Sequence, residues 1–198
     1  MNKYKNLIIF DWDDTLFPTS WITKNDIDIT NPQIQYVFLK LDILIYQVLQ
    51  KMIKYGQIVI VTNAVGKWVN MSANVLPKTQ NILNKNIIIL SARDNFEKLY
   101  PTQTHIWKKL LFKEIVNNYF KNYKLQNIIS IGDAEHEFYA LIDLYNENSI
   151  KKQRLLKTIR FMKEPSLDSL IDQLGVLNKT NHKIINHQNH MDLTFQTT

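Results

Sequence analysis

Three clusters of acids and hydroxyls each follow a short apolar run: Asp11-Trp12-Asp13-Asp14-Thr15 after LIIF, Thr62-Asn63-Ala64 after IVIV, and Gly132-Asp133-Ala134-Glu135-His136-Glu137 after IISI. Asp11 and Asp13 are two apart, and a turn just beyond a strand can bring both toward one centre, where one attacks and the other shuttles a proton. Gathered in a partly dry crevice, Asp11, Asp13, Asp133 and Glu137 would repel one another by several kcal/mol unless a cation neutralised them. An all-oxygen set without thiols favours Mg2+, which keeps waters and accepts phosphate oxygens in its remaining positions. Any one of these aspartates taken singly more often caps a helix or fixes a turn. It is the recurrence after three separate runs that points to chemistry on a phosphate.

Such convergence needs elements that present the three clusters at one edge. LIIF, IVIV, IIIL and IISI are rich in β-branched residues and do not alternate with polar ones, as strands of a parallel sheet covered on both faces require. Leu155 to Met162 fits a fifth strand. Between them, Ile34, Val37, Phe38, Leu41, Leu44, Ile45, Val48, Leu49 and Met52 keep helical spacing between Asn31-Pro32 and Gly56. Val65 to Leu83, with Pro77 ending or kinking it, Thr104 to Phe120, Phe138 to Tyr145, and Ser166 to Leu177 with Gly175 near its end complete the helices. The alternation predicts an α/β fold with a doubly wound, mainly parallel five-stranded sheet, whose ligand crevice lies beyond the carboxyl ends of the strands.

Length and composition limit the alternatives. The 198 residues allow one domain, expected over 1–178, and a polar remainder, 179–198, expected as a flexible tail carrying His182, His187 and His190. Those histidines could bind a metal only against the ordering entropy of a mobile segment. The absence of cysteine removes disulfides, thiolate metal sites and cysteine nucleophiles. No apolar run reaches the roughly 18 residues of a membrane span and no signal-peptide core is present, so the chain is expected off the membrane, in a cytoplasmic or nucleocytoplasmic setting. The net charge of +6 permits an anionic partner without identifying one.

With these motifs in place, the sequence resembles the haloacid dehalogenase-like hydrolase superfamily, mainly its aspartate-nucleophile phosphatases. The family's D-x-D-x-T motif is similar to LIIFDWDDTL, which implies Asp11 as nucleophile, Asp13 as acid/base and Thr15 shaping the turn. Its strand ending in Ser or Thr looks like IVIVTNA, implying Thr62 as a phosphoryl ligand, with Asn63 beside the substrate. Its lysine near a helix start is best met by Lys108, with Lys109 as rival. G-D-x-x-x-[DE] is met by Gly132, Asp133 and Glu137, implying that Asp133 binds Mg2+ and that Glu137 supports the metal or the lysine, within an expected metal set of Asp11, Asp13, Asp133 and Glu137; aspartate is commoner than glutamate at the last position. The strings FDWDDTLFPTSW, LSARD, LYP, WKKLLF and FMKEPSLDSL resemble a poorly characterised, protist-type branch, which implies no known substrate.

Family members often carry a cap, but here Phe17 to Asn31 can form only a short flap and Asn95 to Gln103 a short loop. The implied enzyme is a capless or minimally capped, Mg2+-dependent phosphomonoesterase with an open cleft, able to take a phosphorylated substrate as large as a macromolecule. Two alternatives stand beside it: a non-catalytic phosphate-sensing or protein-binding module, and a nucleic-acid end phosphatase. Lys151, Lys152, Arg154, Lys157, Arg160 and Lys163 crowd around the fifth strand and could guide a polyanion or simply form a basic edge, and no nucleic-acid-binding motif accompanies them.

Overall fold

The computed structural model describes residues 6–122, 125–146 and 154–196. The first strand, β1 (Asn6–Phe10), is buried along its whole length. Leu7 and Ile9 join one apolar cluster while Ile8 and Phe10 join the other, because successive side chains of a strand point to opposite faces. The same division separates Val59 and Val61 from Ile58 and Ile60 in β2 (Gln57–Thr62), and Ile128 from Ile129 and Ile131 in β4 (Asn127–Gly132). Burial on both faces is the physical origin of the unbroken apolar runs.

With β3 (Ile88–Ser91), β5 (Leu155–Arg160) and β6 (Met191–Thr194), the strands form one open sheet in the order β3-β2-β1-β4-β5-β6, and every pairing is parallel. The chain builds outward from β1 to β3 and then returns to the other side of β1, so its direction of winding reverses between β1 and β4. Such a switch point opens a crevice at the strands' carboxyl ends, here just after Phe10 and Gly132.

The long helices follow the expected spacing. The helix over Ile34–Ile53, α2, buries Phe38, Leu41, Ile45, Val48, Leu49 and Met52. Ahead of it lies a single short helix, α1 (Thr19–Lys24), in the segment expected as a flap. The region expected as one irregular helix over Val65 to Leu83 is two: α3 (Gly66–Ser72) passes through a tight turn at Ala73–Val75, and α4 (Pro77–Asn86) begins at Pro77. Proline is favoured at a first helical position, where it has no amide to waste, so it starts a helix here rather than kinking one. The Asp42 carboxylate caps α4 from α2, accepting from the amides of Lys78 at 3.0 Å and Thr79 at 2.8 Å. After β3 come the short α5 (Ala92–Phe96), not expected from periodicity, and α6 (Thr104–Glu114), whose coil widens over Ile115–Tyr119. The segment Glu135–Asn146, α7, packs chiefly on α6 and on β4 and β5.

Two expectations are corrected at the C-terminus. The last helix, α8 (Leu167–Asn186), opens where expected, with Ser166 Oγ accepting from the Ser169 amide, but continues eleven residues beyond Gly175. Its buried stripe of Leu170, Ile171, Leu174, Leu177, Ile184 and Ile185 persists at helical intervals, and packing on α2 outweighs the roughly 1 kcal/mol that a mid-helix glycine costs. The residues expected as a mobile tail then add β6, so the sheet has six strands rather than five. The three histidines are separated: His182 lies in α8, the His187 carbonyl accepts from Lys157 Nζ at 2.8 Å, and His190 Nδ1 accepts from the Leu156 amide at 3.0 Å. No helix among the described residues is long and apolar enough to cross a membrane.

Candidate functional site

The crevice between β1 and β4 is built from the chain outward. The Asp11 amide donates to the Ile131 carbonyl at 2.8 Å, so β1 stays tied to β4 one residue past its end and Asp11 is delivered to the switch point. The chain then turns sharply. Asp14 takes φ 54°, its amide donates to the Phe17 carbonyl at 2.7 Å, and its carboxylate accepts from the Ser20 amide at 2.8 Å and from the Ser20 hydroxyl. Aspartate tolerates this left-handed conformation better than most residues and holds it through such local bonds. Trp12, fully buried between the two key acids, stacks on Phe17 at 5.8 Å and donates from Nε1 to Ser72 Oγ at 2.9 Å, which ties the turn to α3.

Lys108, on the second turn of α6, reaches the centre of this crevice and is only 2% exposed. Its Nζ lies 2.7 Å from Asp11 Oδ1 and also donates to Glu137 Oε1. Burial alone would depress the ammonium, but the charges of Asp11 and Glu137 outweigh it and raise its pKa. Lys109 instead pairs with Asp143 at 3.0 Å in the groove between α6 and α7, so of the two lysines it is Lys108 that meets the acids. Asp11 Oδ1 also accepts from the Trp12 amide at 2.8 Å, and among the described residues no donor is directed at Oδ2. Burial pushes the Asp11 carboxyl well above the usual range; Lys108 opposes that, and Glu137, Asp13 and Asp133 add to it.

Gly132 makes room for this pairing. A Cβ there would lie 2.5 Å from Glu137 Cγ, so any larger residue would displace the Glu137 carboxylate. Asp133 follows at the mouth, with Thr15 Oγ1 3.4 Å from its Oδ1. Burial, then the charges of Glu137 and Asp14, push the Asp133 carboxyl up to about 7. Next to it His136 is lowered, mainly by burial. Thr62 is buried at the end of β2, and Asn63 Oδ1 behind it is buried without a hydrogen-bond partner.

Asp13 is placed differently from the other acids. Its Oδ2 accepts from Thr62 Oγ1 at 3.0 Å, and its Oδ1 from Thr19 Oγ1 at 2.6 Å and Trp68 Nε1 at 2.7 Å. Of the four acids expected around one metal, Asp11, Asp133 and Glu137 interact around Lys108, while the Asp13 carboxylate is committed to hydrogen-bond donors on β2, α1 and α3. Thr19 and Trp68 had not been expected at the site; the position of a tryptophan one turn beyond the polar end of β2 was the available signal. Of the basic residues around β5, Lys157 is buried, Arg160 pairs with Asp192 at 2.8 Å and Lys163 stands 3.8 Å from Glu135, while Lys151 and Lys152 lie outside the described residues.

Whether these residues suit a divalent cation can be judged from two features. Glu137 Oε2 is buried without a hydrogen-bond partner, and Asp133 is pushed toward its neutral form by burial and, after it, by the charges of Glu137 and Asp14. Both are hard oxygen donors that a cation would satisfy, in the manner of Mg2+ sites that draw on few carboxylates and complete their shell with water and phosphate oxygens. Among the described residues no group of three or more His, Asp or Glu side chains is already disposed to hold a metal ion. Compared with protein-family models, curated proteins and solved structures, the chain matches none.

Proposed function

We propose that the protein is an Mg2+-dependent phosphomonoesterase of the haloacid dehalogenase-like type, acting through an aspartyl-phosphate on Asp11. The observation that carries this reading is the buried Lys108 holding Asp11 by Oδ1 at the switch point, with a second carboxylate, Asp13, two residues away. Lys108 and the Trp12 amide both hold Oδ1, so Oδ2 is the oxygen that attacks phosphorus. Asp13 gives a proton to the leaving oxygen and later takes one from the water that hydrolyses the acyl phosphate. Lys108 offsets the charge of the transferring oxygens. Thr62 donates to a phosphoryl oxygen once its hydroxyl swings away from Asp13. Asp11, Asp133 and Glu137 would hold the Mg2+, which supplies charge neutralisation between carboxylate and phosphate.

Asp11 is 5% exposed, so a phosphoryl group must reach it past the half-buried Asp13 and Asp133. Beside that mouth the flap offers only the six residues of α1, and the loop before α6 only the short α5. This favours a capless arrangement and a phosphate presented on an extended or macromolecular substrate. The test is release of inorganic phosphate from a panel of phosphomonoesters with Mg2+ or with chelator, beside Asp11→Asn. Turnover that needs both the metal and Asp11 is expected; turnover indifferent to either would refute the reading.

A further inference from the structure

A proton donor in phosphoryl transfer must present one particular oxygen, and the turn that carries Asp13 does not itself hold that side chain. Its restraint comes from three separate elements: Thr62 at the end of β2, Thr19 in α1 and Trp68 in α3. These donors are not equivalent. A hydroxyl can rotate to donate elsewhere or to accept, whereas an indole N–H only donates. Trp68 and Thr19 both hold Oδ1, at 2.7 Å and 2.6 Å, while the rotatable Thr62 hydroxyl faces Oδ2 and also accepts from the Ala64 amide at 2.9 Å.

The indole is itself fixed. Its ring stands edge-on to Phe17 at 6.0 Å, and Phe17 stacks on Trp12. Ser72 Oγ accepts from Trp12 Nε1 and donates to the Trp68 carbonyl at 2.7 Å. The side chain between the two acids and the side chain that holds the second acid are therefore joined through one serine and one phenylalanine. The spacing of Asp11 and Asp13 is set by this aromatic scaffold as well as by the turn.

We infer that Trp68 is a positioning residue: its indole N–H, with the Thr19 hydroxyl, pins Asp13 Oδ1 so that Oδ2 faces the substrate and carries the transferred proton. This rests on the phosphatase reading. In the first half-reaction the Asp11 Oδ2–phosphorus bond forms as the bond from phosphorus to the leaving oxygen breaks, and the proton on Asp13 Oδ2 passes to that oxygen. In the second, water attacks phosphorus, its proton goes to Asp13 Oδ2, and the acyl-phosphate bond breaks to return the Asp11 carboxylate and phosphate.

Trp68→Phe keeps the ring and removes the N–H. With an alkyl phosphate, whose leaving alkoxide needs a proton, kcat is expected to fall about 100-fold with KM nearly unchanged. With an aryl phosphate bearing a good leaving group the fall should be only a few-fold. Thr19→Val should repeat this pattern and Thr19→Ser should restore the wild-type ratio. An equal loss on both esters, or a loss through KM alone, overturns the inference while leaving the phosphatase reading intact. A wild-type protein that hydrolyses neither ester removes both. Should Trp68→Phe fail to fold, Thr19→Val and the NMR signal of the Trp68 indole N–H decide the matter: that signal must move in Asp13→Ala, and an unmoved signal overturns the inference.

Discussion

Among the described residues two lysines are buried, Lys108 and Lys157, and they are answered in opposite ways. Lys108 meets two carboxylates, Asp11 and Glu137, which raise its pKa. Lys157, fully buried on β5, pairs with no acid among the described residues; its Nζ donates to the carbonyls of Ile184, Ile185 and His187 at 2.7, 2.8 and 2.8 Å, and burial draws it down to about 8. Those carbonyls end α8, where the negative pole of the helix welcomes a cation. Lys157 has full hydrogen-bonding capacity in use and closes a structural joint. Beside Lys108, Glu137 Oε2 is buried without a hydrogen-bond partner, and burial with the charges of Glu137 and Asp14 raises Asp133 more than Lys108 lowers it. A buried charge that completes its surroundings is architecture; one left among an excess of opposite charge is a candidate functional site.

The contrast breaks most sharply at Asp11, the proposed nucleophile. Asp11→Asn should lower phosphomonoester turnover by about 10^4-fold or more with the fold retained, measured by phosphate release and circular dichroism. Next come the lysines themselves. Lys108→Met should cost on the order of 10^3-fold in kcat. Lys157→Met should leave turnover per folded molecule unchanged while lowering stability by about 3 kcal/mol in urea unfolding, since several buried carbonyls lose their donor. Equal effects on activity from the two substitutions would erase the distinction.

A pH series sharpens it further. The folded-state pKa of Asp133, about 7, lies above its ordinary value of 3.8, so between these pH values the native state holds more protons than the unfolded one. Stability of the metal-free protein attributable to this group should therefore fall as pH rises from about 4 to about 7, and Asp11 acts in the same direction. Mg2+ competes with the protons, so the rise in melting temperature on adding it should be larger near pH 8 than near pH 5. A metal-induced rise of equal size at both would argue against carboxylate ligation. The smallest effect is expected remote from both lysines: Ser166→Ala removes the α8 cap and should cost about 1 kcal/mol without altering kinetics.

What the sequence disclosed, and what it hid, follows from which atoms do the work. β1, β2 and β4 were legible because side chains buried on both faces leave no polar residue in the run, and Asp11, Thr62 and Asp133 because each directly follows such a run. β5 and the start of α8 were legible too, and only the stretch beyond Leu177 departs from its polar sequence, because its order rests on main-chain groups. The Lys157 bonds to helix-end carbonyls and the ladder between β5 and β6 leave little trace in side-chain polarity, and Gly175 read as a terminator only while the apolar stripe beyond it was discounted. Trp68 and Thr19 escaped notice for another reason. Their meaning lies in approach across the fold to Asp13, over 55 and 6 positions, which no local spacing records.

The sixth strand also bears on how this chain tolerates trimming. Cutting after Asn178 to discard a stretch that looks dispensable would take away the carbonyls that Lys157 needs and the strand that shields β5. The shortened protein would carry a stranded interior ammonium and a bare parallel edge, and it should precipitate rather than simply soften.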